Sequence, residues 1–262
     1  MTTPHPLRDV VVHPDAATLA EATAARLLTA VLDAQSHHRP VHLVLTGGTV
    51  GIRTLAAVAA NPVRDAVDWT GVHLWWGDER FVPAGDPDRN ETQAREALLD
   101  TLGDALPAAN VHAVPAADVV GDPEAAAAAY AEELAAHAPE GAALPELDVL
   151  LLGMGPDGHV ASLFPDHPGL DVVGRTTTGV HDSPKPPPLR VSLTFEAIRS
   201  AREVWVVAAG EEKADAVAAA LGDGPVAQVP AAGAVGRERT RWLLDVAAAS
   251  RSASDAGTPA AG

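Results

Sequence analysis

The residues best suited to chemistry directly follow an apolar run that ends at Leu152. Residues 153–159 read Gly-Met-Gly-Pro-Asp-Gly-His, so three glycines precede a histidine and an aspartate lies two positions before it. Glycines permit a tight turn that can aim the imidazole of His159 into a cleft. A neutral imidazole with a pKa near ~6.5 can take a proton from water at physiological pH. The pattern therefore favours general-base chemistry at His159.

The same residues also match the G-x-G-x-x-G pattern of dinucleotide-binding loops. Two features argue against that function, because Asp157 would repel a pyrophosphate and residues 161–165 are too short for the long helix that must follow. The acidic residue expected at the end of the next strand is also missing, since Asp171 and Asp182 lie in loop-like sequence. A dinucleotide site is therefore a weak alternative.

A second glycine-rich loop follows another apolar run, Val41–Leu45. Residues 46–49 read Thr-Gly-Gly-Thr and precede a predicted helix, whose N-terminal N–H groups suit an anion. No Gly-Lys-Ser or Gly-Lys-Thr follows, so this is not a Walker loop. Gly47, Gly48 and Thr49 are candidates for binding a phosphate, and a plain strand-to-helix turn is the alternative.

Charged residues near other predicted strand ends complete the set of candidates. Residues 78–80 read Asp-Glu-Arg directly after a buried run, although a solvated turn with local ion pairs would also explain them. The chain has two lysines, Lys185 in a proline-rich loop and Lys213 just after a predicted strand. Together with Arg190 and Arg80, these cations can hold an anionic substrate.

The elements that must position these residues alternate between short apolar runs and longer Ala-rich segments. This alternation predicts a single doubly wound α/β domain, Rossmann-like, with a mainly parallel sheet and helices on both faces. The predicted strands are 10–12, 41–45, 72–76, 111–114, 147–152, 190–193, 204–208 and 242–244. The predicted helices are 16–35, 52–59, 91–99, 123–137 and 211–221. We expect the domain to span residues 1–248, followed by a disordered Ala/Ser/Gly/Pro-rich tail, 249–262.

Composition excludes several classes of protein. A formal charge of −17 over 262 residues leaves no basic surface for nucleic acid or an anionic membrane. No apolar run reaches the ~18 residues of a membrane span, and no signal peptide is visible. The absence of cysteine removes disulfides, thiolate zinc sites and thiol nucleophiles. We expect a cytoplasmic protein that binds a small molecule, in an oligomeric state that the sequence leaves open, a monomer included.

Taken in order, these motifs resemble the 6-phosphogluconolactonase family, within the wider glucosamine-6-phosphate isomerase fold group. The resemblance extends from about residue 10 to residue 245. It rests on residues 47–49, 76–83 with Asn90, 153–165, 185–192, 210–214 and 242–245. The third of these blocks, which ends in Ser-Leu-Phe-Pro, is the most specific. Residues 46–51 depart from the family's frequent Ser-Gly-Gly-Ser-Thr-Pro, although Thr49 keeps a hydroxyl.

The resemblance implies hydrolysis of 6-phospho-D-glucono-1,5-lactone to 6-phosphogluconate in the oxidative pentose phosphate pathway, with no metal or other cofactor. His159 would be the general base that activates water, with Asp157 or Asp78 in support. Arg80 would contact the substrate, and either Arg80 or the backbone of residues 153–155 would stabilise the oxyanion. The 6-phosphate would bind to Gly47, Gly48, Thr49, Arg190, Lys213 and Lys185.

Two further functions are open to a chain with this architecture. A sugar-phosphate isomerase or deaminase would need a carboxylate where Phe164 stands, and phenylalanine cannot relay a proton. A non-catalytic sugar-phosphate sensor would need a DNA-binding module, for which we expect no room before the first strand. Both alternatives are therefore weaker than the lactonase.

Overall fold

Strands and helices alternate along residues 7–222 and 224–252, which the computed structural model describes. The strands are β1 (Leu7–His13), β2 (Val41–Leu45), β3 (Val72–Trp76), β4 (Asp78–Arg80), β5 (Leu147–Gly153), β6 (Thr177–Val180), β7 (Arg190–Leu193), β8 (Glu203–Ala208) and β9 (Arg239–Asp245). The α-helices are α1 (Ala16–Gln35), α2 (Gly48–Ala60), α3 (Asn90–Ala94), α4 (Asp100–Leu102), α5 (Pro123–Ala136), α6 (Phe195–Ser200) and α7 (Ala214–Leu221). A π-helical turn, Arg95–Leu99, joins α3 to α4, so the predicted helix 91–99 is present but irregular.

Six strands form a parallel sheet in the order β1-β9-β8-β5-β2-β3. The chain runs outward from β2 to β3, returns to β5, and continues through β8 to β9 in the opposite direction. The strand order therefore reverses between β2 and β5, and open α/β sheets bind ligands at such a switch point, beyond the carboxyl ends of the strands. The predicted doubly wound α/β fold is confirmed.

Helices cover both faces of this sheet because its strands carry apolar side chains on both sides. On one face, α1, α2 and α3 pack against side chains such as Leu43 and Leu151. On the other face, α5, α6 and α7 pack against side chains such as Val44 and Leu150. Each buried side chain of this size stabilises the fold by ~1.5–3 kcal/mol, so the two layers fix the strand ends firmly.

A second, antiparallel sheet has the strand order β4-β7-β6, and the apolar pattern does not predict it. The sequence groups 190–193 with the strands of the main sheet, whereas β7 pairs instead with β4 and β6. Arg80 lies opposite Arg190 in this pairing, and Asp78 lies opposite Ser192. Strands of three or four residues that contain charges are too short for a clear alternation, which explains the miss.

The last described residues follow β9. Residues 249–252 form turns after β9, in which the Ala249 N–H donates to the Asp245 carbonyl. The rest of the predicted tail, 253–262, lies outside the described residues. The predicted strand 111–114 contributes one parallel bridge, between Val111 and Leu74. Among the helices described, none combines the length and the apolar character needed to cross a membrane.

Candidate active site

A cleft of about 290 Å³ opens at the switch point between β2 and β5. The N–H of Gly153, at the end of β5, donates to the Thr46 hydroxyl after β2 over 3.0 Å, which fixes the two loops together. The predicted site residues that line the cleft are Gly47, Gly48, Thr49, Asp78, Arg80, His159, Lys185, Arg190 and Lys213. The remaining candidate, Asp157, contacts His159 directly.

A tight hairpin presents His159 to the cleft. The Gly158 N–H donates to the Gly155 carbonyl, and the Gly155 N–H donates to the His159 carbonyl, each over 3.0 Å. Pro156 suits the second position of this turn, and Gly158 has a φ of +80° that favours glycine. A Cβ on Gly155 would lie 2.1 Å from the His159 ring. The glycines therefore serve the turn and the close approach of the imidazole.

The His159 imidazole is paired with the Asp157 carboxylate. Its Nδ1 lies 2.5 Å from Oδ1 of Asp157. Burial alone would raise the pKa of the Asp157 carboxyl, but the hydrogen bond and charge of His159, with the charge of Lys185, hold that pKa well below its usual range. An ionised carboxylate can only accept a hydrogen bond, so Nδ1 carries the proton and Nε2 carries the lone pair. This tautomer is the one that a general base at Nε2 requires.

Asp78 has a different set of contacts from Asp157. Its buried carboxylate accepts a hydrogen bond from the Ser162 hydroxyl over 2.7 Å, and its carbonyl accepts one from the Asn90 side chain over 2.8 Å. The sequence left open which carboxylate supports His159. In the structure Asp157 contacts the imidazole, and Asp78 ties the segment after His159 to β4.

Phe164 packs against the catalytic candidate. Its ring centroid lies 4.5 Å from that of His159, with the two planes inclined at 37°. The resemblance places an isomerase carboxylate at this position, and the structure shows an apolar ring in van der Waals contact with the imidazole there. A proton relay through residue 164 is therefore not available.

The two lysines approach the cleft from different loops. Lys185 Nζ lies 3.6 Å from Oδ1 of Asp157 and 3.5 Å from Nδ1 of His159. Burial lowers the pKa of Lys213, and the charge of Lys185 lowers it further, while Glu212 and Asp245 oppose the shift. Two ammonium groups thus raise the local potential in a protein of strongly negative net charge.

The two arginines of the small sheet differ in how their guanidinium groups are used. Arg190 donates from Nε to the Pro187 carbonyl and from Nη2 to the carbonyls of Lys185 and Pro186 over 3.0–3.2 Å, so it holds the loop that carries Lys185. Arg80 donates from Nη1 to the Asp88 carbonyl. Its buried Nε has no hydrogen-bond partner among the described residues.

The Thr-Gly-Gly-Thr loop forms the first turn of α2, which begins at Gly48 rather than at the predicted residue 52. Gly48 has a φ of +79°, and the N-terminus of α2 lines the cleft. A Cβ on Gly47 would lie 1.8 Å from Oδ1 of Asn90. Asn90 therefore packs against the loop, and its Oδ1 is buried without a hydrogen-bond partner in the described part of the chain.

Glu79 is a buried carboxyl group that connects β4 to the start of α3. It accepts backbone hydrogen bonds from Arg80, Asn90 and Glu91 over 2.7–2.9 Å and lies 3.8 Å from the Arg89 guanidinium. Burial raises the pKa of Glu79 to about 7, against the opposing effects of Arg89 and the backbone donors. Reading residues 78–80 as a solvated turn is wrong, because Glu79 is 1% exposed. The sequence analysis did not name Glu79 as a site residue, although it lies between the candidates Asp78 and Arg80.

Comparison with known proteins identifies the family. The family model for glucosamine-6-phosphate isomerases/6-phosphogluconolactonase matches residues 14–242. The chain belongs to this family. It is 60% identical over 246 residues to the 6-phosphogluconolactonase of Streptomyces coelicolor, which covers 92% of this chain and 94% of that protein. It is 48% identical over 244 residues to the 6-phosphogluconolactonase of Mycobacterium leprae, with 92% and 97% covered.

A solved structure supports the same relationship. The 6-phosphogluconolactonase of Trypanosoma brucei superposes with a TM-score of 0.81 at 29% identity, covering 94% of this chain and 99% of that one. The family also includes isomerases, but these three relatives are lactonases by name. Phe164 beside His159 offers no carboxylate for the proton relay that the resemblance assigns to an isomerase.

Proposed function

We propose that the cleft hydrolyses 6-phospho-D-glucono-1,5-lactone to 6-phosphogluconate, the second step of the oxidative pentose phosphate pathway, with His159 as the general base. The observation that carries this assignment is the 2.5 Å contact between His159 Nδ1 and Asp157, in a cleft lined by cations. Relatives that are lactonases by name, at up to 60% identity over most of the chain, support the choice of reaction.

His159 Nε2 takes a proton from a water molecule as the water oxygen attacks the lactone carbonyl carbon. The resulting tetrahedral intermediate carries a negative charge on the former carbonyl oxygen. The intermediate then collapses by breaking the bond to the ring oxygen, and the imidazolium returns its proton to that oxygen. The products are a carboxylic acid, which ionises, and a free hydroxyl. Asp157 stabilises the imidazolium between the two proton transfers.

Arg80 is the donor that we assign to the oxyanion. Two of the backbone candidates already donate hydrogen bonds within the protein. The N–H of Gly153 donates to the Thr46 hydroxyl, and the N–H of Gly155 donates to the backbone carbonyl of His159. Arg80 Nε is buried, beside the cleft, and unpaired among the described residues. A charged donor in a partly dry site stabilises developing negative charge more than it stabilises a neutral carbonyl.

The 6-phosphate binds at the N-terminus of α2. Gly48 and Thr49 line the cleft and belong to the first turn of α2, which no side chain caps, so their N–H groups and the helix dipole favour an anion there. Lys213 supplies the neutralising charge. Arg190 acts on the phosphate indirectly, because two of its nitrogens hold the loop that carries Lys185.

A comparison of two substrates tests this function. We expect kcat/KM for 6-phosphogluconolactone to exceed that for the unphosphorylated lactone by ~100-fold or more, since a site built for a phosphate rejects a substrate that lacks one. Lys213→Ala should reduce that preference by ~10-fold. Equal kcat/KM values for the two lactones would contradict the phosphate site, and no rate above spontaneous hydrolysis would contradict the function.

A further inference from the structure

Three histidines converge near the amino ends of the strands, away from the cleft. His73 is the second residue of β3, His112 follows the bridge residue Val111, and His137 follows the last residue of α5. One nitrogen from each ring lies within 4.8 Å of the other two. Because β3 advances ~3.3 Å per residue, this three-histidine group lies ~13 Å along the strand from Gly77, the residue before Asp78, which lines the cleft.

Glu133 fixes the tautomer of two of these rings. Its carboxylate Oε1 lies 2.8 Å from Nδ1 of His112, and its backbone carbonyl lies 3.0 Å from Nδ1 of His137. Both of these oxygens can only accept, so in each neutral ring Nδ1 carries the proton and Nε2 keeps its lone pair. Bonds of this kind, from Nδ1 to a carboxylate or a backbone carbonyl, orient the histidine ligands of metal ions in proteins.

The spacing of the third ring suits the same purpose. Nδ1 of His73 lies 2.8 Å from Nε2 of His112. Two imidazole nitrogens bound to one tetrahedral ion at ~2.0–2.1 Å are separated by ~3.3 Å, so a small rotation of either ring would admit an ion. His73 would then carry its proton on Nε2, which is a change of tautomer without loss of a proton.

An aromatic wall closes one side of the group. The Trp75 indole stacks on His112, with centroids 3.9 Å apart and planes inclined at 11°, and meets the edge of His137 at 5.4 Å. The indole N–H donates to Nδ1 of His42 over 3.0 Å, so Trp75 is held in place. His112 is buried, whereas His73 and His137 are partly exposed, which leaves a side open to solvent.

We propose that His73, His112 and His137 bind one divalent transition-metal ion of the Zn²⁺ class, with solvent in the remaining coordination position. Three imidazole ligands favour Zn²⁺, Co²⁺, Ni²⁺ or Cu²⁺ over Mg²⁺ and Ca²⁺, which prefer oxygen. The site joins the edge strand β3, the segment at His112 and the end of α5. The ion therefore stabilises the fold and takes no part in lactone hydrolysis, so this inference is independent of the proposed function.

Titration with Co²⁺, followed by competition with Zn²⁺, tests this metal site. The protein used is the full chain without a histidine tag, from which trace metal has been removed. We expect one Co²⁺ per chain with visible absorption bands of a site of low coordination number, displaced by one equivalent of Zn²⁺. Zn²⁺ at 100 times its Kd should raise Tm by ~5 °C or more. Mg²⁺ should change neither signal.

Three variants locate the bound ion. We expect His112→Ala and His137→Gln to weaken Zn²⁺ binding by more than ~100-fold. Glu133→Gln should weaken it by ~10–100-fold, because the acceptor of the His112 Nδ1–H loses its negative charge. His137 is partly exposed, so His137→Gln remains informative if His112→Ala fails to fold. His37→Ala, which removes an exposed histidine at the end of α1, is the matched control and should bind Zn²⁺ normally.

Two results would overturn the proposal. One is wild-type protein that binds no stoichiometric Zn²⁺ or Co²⁺ at tens of micromolar metal. The other is a folded His137→Gln variant that binds Zn²⁺ with the affinity and stoichiometry of the wild type. Either outcome would leave the group as a packed histidine stack.

Discussion

His159 and the three-histidine group lie toward opposite ends of one sheet, and they differ in what each imidazole contacts. His159 pairs with a carboxylate, and its other nitrogen carries a lone pair in a cationic cleft. In the three-histidine group one ring, His112, also pairs with a carboxylate, that of Glu133, but the rings in addition contact one another and Trp75. Burial and the neighbouring imidazoles lower the pKa of His73 to about 4. A carboxylate partner equips an imidazole to gain a proton, whereas imidazole neighbours oppose that gain.

The two regions also differ in how the chain assembles them. Residues 155–159 bring His159 and its carboxylate together within one hairpin. The three-histidine group requires β3, the segment at His112 and the end of α5 to be packed first. Turnover should therefore respond to changes in the first region and be insensitive to changes in the second.

The largest difference is expected between His159→Ala and His137→Gln. Loss of the general base should reduce kcat by ~10³-fold, while 6-phosphogluconate still binds, as calorimetry can measure. His137→Gln should keep kcat within about twofold of the wild type, because His137 has no contact with the cleft residues described above. A similar loss of kcat in both variants would break the comparison.

Asp157→Asn should have the next largest effect, a fall in kcat of ~10²-fold, because the imidazolium loses its counter-charge. The pKa of Asp157 lies well below its usual range, so the carboxylate stays ionised from pH 5 to pH 8. The loss of kcat in Asp157→Asn should therefore be present at pH 8, well above the range in which the Asp157 carboxyl titrates. Asp171→Asn, at an exposed position, is the control. Equal kcat values for Asp157→Asn and the wild type at pH 8 would show that the counter-charge is not needed for turnover.

Gly155→Ala should lower kcat by ~10–100-fold without removing any functional group. The new Cβ would lie 2.1 Å from His159 and 2.4 Å from Asp157, so the pair must move. Gly121→Ala is the matched control, since nothing lies within 4 Å of its Cβ position. Unchanged kcat in Gly155→Ala would show that the observed pairing of His159 is not needed for turnover.

Lys213→Ala should have the smallest effect on turnover, raising KM by ~10-fold with kcat nearly unchanged, since the phosphate does not react. Burial lowers the pKa of Lys213, so its charge is lost at a lower pH than that of an exposed lysine. Wild-type KM should therefore rise as the pH increases into the alkaline range, after correction for spontaneous hydrolysis. Lys213→Arg should flatten that rise. A fall in kcat equal to the rise in KM would place Lys213 in the chemical step.

The sequence predicts the parts of the site that are local in the chain. The glycine-rich turn at His159 follows from glycine, proline and strand-end signals within a few residues. The start of α2 at Gly48 does not, because the sequence pattern places it at residue 52. Strand β4 and the burial of Glu79 depend on pairing with β7, which lies far along the chain. Asp78 and Ser192, for example, are paired although more than 100 residues separate them. The three-histidine group has no sequence motif, because its members lie far apart along the chain and meet only in the folded structure.

The most direct test of His159 as the base is chemical rescue. The initial rate of 6-phosphogluconolactone loss would be measured for His159→Ala with increasing free imidazole, with a chelator present throughout and the rate without protein subtracted. We predict that the wild-type rate is unaffected by the chelator and that imidazole raises the variant's rate in proportion to its concentration. A variant that equals the wild type without imidazole, or a wild type that loses its rate to the chelator, would contradict a metal-free reaction with His159 as base.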